Sequence, residues 1–130
     1  MIRLALLLAL ALPQDVRFVA YDVVVDASQP LAVWQVELTA SGNAKLVGIA
    51  GGDAGPYATT PYHDPAALQG GRIVLGAYTT ETAPKGRVRV AQIQVMETGS
   101  AEWTSRLVAA AAPGGARIDA KLELVRTGGK

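Results

Sequence analysis

The sequence predicts an all-β chain built as a two-sheet sandwich. Three observations point there: apolar and polar residues alternate at a period of two in two long segments, turn signals separate the apolar runs, and seven or more such runs follow one another. In residues 31–40, Ala32, Trp34, Val36, Leu38 and Ala40 are apolar while Gln35, Glu37 and Thr39 interleave. In residues 116–125, Ala116, Ile118, Ala120, Leu122 and Leu124 alternate with Arg117, Asp119, Lys121 and Glu123. A helix, with its period of 3.6, would mix those faces.

The remaining elements follow in chain order. Residues 16–25 are apolar on both registers, with Phe18 and Ala20 facing one way and Val19, Tyr21, Val23 and Val25 the other, as expected of a central strand. Residues 44–50 and 73–79 are further strands. Residues 87–97 begin with Val88 and Val90 in phase and then switch to Ala91, Ile93 and Val95, so a β-bulge is expected near Val90-Ala91. Residues 103–110 complete the set, and their alanine content leaves room for irregular or helical structure. Ser41-Gly42-Asn43, Ala83-Pro84-Lys85-Gly86 and Pro113-Gly114-Gly115 carry tight-turn residues. Residues 51–71 form a long connection, in which Asp64-Pro65-Ala66 is fit to cap and start one helical turn. Long ordered connections are often functional.

The totals bound the function. A chain of 130 residues with 50% hydrophobic and 18% charged residues folds as one domain. Residues 1–11 read as a short signal peptide, with Arg3, an apolar run over 4–12 and the small-x-small site Ala9-Leu10-Ala11. Residues 12–15 are then a short leader, 16–126 the domain and 127–130 a frayed tail. The expected location is secreted, periplasmic or on the cell surface. Loss of Arg3 leaves 11 basic against 11 acidic residues, so nothing steers the protein to nucleic acid. No other stretch approaches the ~20 apolar residues of a membrane span. The absence of cysteine excludes disulfides, thiolate metal sites and a cysteine nucleophile.

Catalytic patterns are missing. No serine lies in a nucleophile elbow, and a zinc site would have to join the single histidine, His63, to carboxylates alone. Asp22 and Asp26 share a strand face about 13 Å apart, too far for a glycosidase pair, and read as solvated strand-end charges. No cofactor is expected, with Asp53 and Asp64 the secondary candidates for calcium. Tyr57, Tyr62, His63 and Asp64 in the long connection make a polar-aromatic patch suited to a sugar ring. Trp34 belongs to the apolar register and reads as core.

The order of features resembles the cohesin-like domains. The resemblance rests on Tyr21-Asp22-Val23-Val24-Val25, on residues 31–38 leading into 44–53, and on residues 71–78 and 86–93. It implies an Ig-like, jelly-roll sandwich of about 7–9 strands that binds without catalysis, docking a dockerin-like protein or a polysaccharide. Gln35, Glu37, Thr39, Gln92 and Gln94, on the polar registers, are the candidate docking face. The alternatives are a structural subunit of an envelope or surface assembly, and a small hydrolase built on Asp53, His63 and Asp64.

Overall fold

The computed structural model describes residues 15–53 and 55–127. The chain is all-β: β1 (Val16–Ala27), β2 (Val33–Gly51), β3 (Arg72–Tyr78), β4 (Gly86–Ala111) and β5 (Ala120–Thr127) form one antiparallel sheet in the order β3-β2-β4-β1-β5. Two single-turn 3₁₀ helices, Gly55–Tyr57 and Pro65–Ala67, lie in the connection from β2 to β3. No helix of the described residues is long and apolar enough to cross a membrane. Residues 1–14, which hold the expected signal peptide and nearly all of the leader, lie outside the described residues, as do 128–130.

The expected strand segments fall largely within strands, residues 116–119 excepted, but five strands hold them rather than seven to nine. The predicted turn at Ser41-Gly42-Asn43 is a bulge inside β2, with Gly42 at φ 79°. Opposite it, Gly99 takes φ 67° inside β4, and the pairing jumps from Ser41↔Glu102 to Asn43↔Thr98. A glycine at positive φ lets a strand bend without ending it. Because both partners deviate at the same place, pairing resumes on the far side, and one continuous strand runs where the sequence punctuation suggests two. The segment 103–110 is therefore strand, not helix.

The bend gathers the core. Trp34, Val36 and Leu38 of β2 and Ile73 and Leu75 of β3 lie before it; Val19, Val23 and Val25 of β1 and Val88, Val90, Ile93 and Val95 of β4 lie on the other half of the sheet. All belong to one buried cluster. Each fully buried aliphatic side chain contributes roughly 1.5–3 kcal/mol. The phase switch in β4 is where expected: Val23 pairs with Ala91 and Val24 with Arg89, leaving Val90 as the extra residue. Both Val90 and Ala91 are thereby buried. β1 is central, between β4 and β5.

The last alternating segment divides between two partners. Arg117 bridges to Ala111 and Ile118 N–H donates to Ala110 O, whereas from Ala120 onward the chain pairs with β1. Thr127, expected in the tail, is the last residue of β5, and its hydroxyl donates to Ala20 O.

A buried polar cluster lies near the bend. Glu97 is 0% exposed. One carboxylate oxygen accepts from Tyr21 Oη at 2.6 Å, while the other faces Arg17 Nε at 3.3 Å and Arg126 Nη1 at 3.6 Å. Burial, reinforced by the Glu97 carboxylate, pushes the Tyr21 hydroxyl pKa up.

Candidate functional site

The connection between β2 and β3 is held at three points before it reaches the surface. Gly52 N–H donates to Tyr57 O at 2.6 Å, and Asp53 N–H donates to Arg89 O at 3.0 Å. A Cβ at Gly52 would fall inside the van der Waals radius of Arg89 O, so only glycine lets the chain pass this close to β4. Gly52→Ala is expected to cost about 1–3 kcal/mol, read as a lower urea midpoint with unchanged slope. Next, the Tyr57 ring enters the core, edge-on to Trp34 at 6.2 Å, and its hydroxyl donates to Leu31 O at 2.7 Å. Finally Asp64 accepts from Ala66 N–H at 3.0 Å, capping the turn at Pro65–Ala67 as the sequence suggests.

Between the second and third anchors the chain runs along the outer edge of β3. Tyr62 and Gly76 exchange both backbone hydrogen bonds, at 2.8 and 3.1 Å. Gly76 is two residues from Tyr78, so the bridge brings the two tyrosines side by side. Their rings stand 6.1 Å apart between centroids with planes 10° from parallel, and the residues are 70% and 62% exposed. The backbone pairing fixes the spacing of the two residues that carry these exposed rings, so the pair is in place before a ligand arrives.

Beside the pair lies an open groove of about 530 Å³, lined by Val33, Gln35, Val74 and the tyrosines, with His63 and Asp64 at its polar side. Trp34 borders the groove, while its side chain, 1% exposed, lies in the core on the other side of the strand. His63 Nδ1 is 3.0 Å from Pro61 O, which holds the ring in place. The groove thus offers flat apolar surfaces with a few fixed polar groups, the usual make-up of a small-ligand site.

Several expected site residues are placed elsewhere. Tyr57 is 1% exposed and is a core anchor, because its ring fills the space against Trp34 and its hydroxyl is used internally. Asp53 does not join Asp64; its carboxylate is bound by Arg89, whose guanidinium also donates to Asp22 at 3.2 Å. These two carboxylates, Asp22 first, raise the Arg89 pKa. Asp22 is therefore part-buried in a network that also takes in Gln92 at 3.0 Å and, through it, Gln94, rather than a solvated charge. No three His, Cys, Asp or Glu side chains converge as a metal site would need among the described residues.

The expected docking face is split. Gln35, Glu37 and Thr39 lie on the outward side of the sheet half formed by β3 and the first part of β2. Gln92 and Gln94 lie on the outward side of the other half, beside β1. The expected face is thus divided between two parts of the sheet, separated by the irregularity at Gly42 and Gly99. Glu37 is bound by Arg106 and Arg72, which hold its carboxyl below the usual range. Tyr78 is not among the expected site residues, although its register is legible: Ile73, Leu75 and Ala77 occupy the inward positions, which leaves Tyr78 outward. What the sequence does not carry is the bridge that puts Tyr62 beside it.

No protein-family model matches the chain, and comparison with curated proteins and with solved structures likewise yields no match.

Proposed function

We propose that the chain is an exported, non-catalytic binding module with a cohesin-like sandwich, and that the Tyr62–Tyr78 groove takes a polysaccharide. The single observation that carries the glycan reading is the pair of exposed, parallel tyrosine rings beside a polar-edged groove. A flat aromatic face stacks on the C–H surface of a sugar ring, while Gln35, His63 and Asp64 stand within the same groove to meet hydroxyls. The sandwich reading is supported by the single buried cluster, which joins apolar residues from both parts of the sheet. The non-catalytic reading is supported by Asp53, whose carboxylate is bound by Arg89 and does not join His63 and Asp64.

The test is binding of soluble glycans by the folded protein, followed by calorimetry on the best. Tyr62→Ala and Tyr78→Ala are each expected to weaken binding about tenfold or more, and together to abolish it, with the thermal midpoint nearly unchanged because both side chains are exposed. Absence of any glycan binding by folded protein, or binding indifferent to both substitutions, would end this reading. A dockerin-like protein captured through the same tyrosines would replace the glycan with a protein ligand.

A further inference from the structure

The two edges of the sheet are treated differently. β3 is guarded by the Tyr62–Gly76 bridge, whereas β5 pairs with β1 on one side and, among the described residues, with no strand on the other. Unpaired backbone N–H and C=O groups along such an edge are a template for another strand.

The charges on β5 define which strand fits. Cross-strand register arranges the outward side chains in rows. One row runs Arg87, Asp26, Lys121 across β4, β1 and β5; the next runs Arg89, Val24, Glu123. The first row reaches the open edge with a positive charge and the second with a negative one. Both end residues are exposed, and Leu122, half-buried, lies between them on the inward register. Glu123 also touches Arg87 diagonally across β1.

We propose that a second copy of this chain occupies the edge, its β5 running antiparallel about a two-fold axis at Leu122. Antiparallel self-pairing about residue 122 places Lys121 of one copy opposite Glu123 of the other, and symmetry repeats the contact. On the inward side Leu122 meets Leu122 and Ala120 meets Leu124, joining the half-buried apolar positions of both copies. The first row then continues in alternating sign, from Lys121 into Glu123 of the second copy. Neighbouring registers lack this match: an axis at Lys121 opposes two lysines and sets Asp119 against Glu123, and an axis at Glu123 opposes two glutamates. Like charges directly opposite are destabilising, so among these three registers the charge pattern selects the axis at Leu122.

Sedimentation of the full chain over a wide concentration range tests this. A closed dimer, weakened by salt, is expected. Lys121→Glu is expected to raise the dimer Kd by about tenfold, since two attractive pairs become repulsive. Glu123→Lys does the same, although it also removes the Arg87 contact. The double swap Lys121→Glu with Glu123→Lys restores dimerisation, with circular dichroism confirming that each variant is folded. Because the chain has no cysteine, Leu122→Cys introduces a single thiol on the axis, which should oxidise to a covalent dimer without loss of folding. A chain that stays monomeric at high concentration, one that forms open-ended oligomers, or a dimer that ignores the single swaps or is not restored by the double swap would overturn the proposal.

Discussion

Tyr57→Ala is expected to lower the unfolding free energy by about 3–5 kcal/mol, the cost of emptying a large aromatic site in a packed core. The ring is buried against Trp34 and its hydroxyl donates to Leu31 O, so truncation removes apolar contacts and leaves a buried carbonyl short of its donor. Urea unfolding measures this. Tyr57→Phe keeps the ring and should cost only about 1 kcal/mol. The same residue predicts a pH dependence. Burial pushes the Tyr57 hydroxyl up to about 12, from an ordinary value near 10. Below pH 10 the hydroxyl is neutral in both states and its contribution is fully present. Between about pH 10 and 12 the unfolded chain loses the proton first, so stability falls, by at most about 2.7 kcal/mol. Tyr21 shifts in the same direction, so Tyr57→Phe should flatten the alkaline decline in part rather than remove it. An unchanged alkaline profile in Tyr57→Phe would show that Tyr57 ionises as freely folded as unfolded. Tyr57→Ala should also weaken any ligand of the groove, because Tyr57 anchors the connection that carries Tyr62.

Glu97→Ala is expected to cost about 3 kcal/mol. Removing one member of a buried ion cluster leaves the others uncompensated, at about 3–5 kcal/mol for fully buried partners. The lower end applies here because the Arg17 side chain is 19% and that of Arg126 48% exposed, so water recovers part of their solvation. Glu97→Gln keeps the shape and an acceptor for Tyr21 Oη, and should cost about half as much. In the pair Glu97→Ala and Tyr21→Phe the losses should fall short of additive, since both remove the same 2.6 Å hydrogen bond. If urea unfolding of Glu97→Ala came within about 0.5 kcal/mol of the parent, the cluster would not be a stabilising element.

The site is legible in pieces. Tyr62, His63 and Asp64 stand out because they are chemically versatile side chains in a long connection, and the groove does contain them. Tyr57 has the same sequence signature yet is core, because an aromatic ring in a loop can be pulled inward wherever a cavity and a hydroxyl partner exist. Glu97 is the opposite case. It closes an alternating run on its inward register, and that register is read as apolar unless distant arginines are known to meet it. Arg17 and Arg126 lie far from it in the chain and reach it only through the neighbouring strands.

Local pattern alone determined that this chain is β, that Trp34, Val36 and Leu38 face inward, where β4 changes phase, and that Asp64 starts a turn. These depend on neighbours two to four positions apart, and the sequence holds them directly. Tertiary structure alone decided that Ser41-Gly42-Asn43 interrupts the register of a strand instead of ending it, that the expected docking residues fall on two separate parts of the sheet, and that Tyr62 stands beside Tyr78. A glycine at positive φ suits a turn and a bulge equally well; which one forms depends on whether the partner strand bends at the same place, and here Gly99 does.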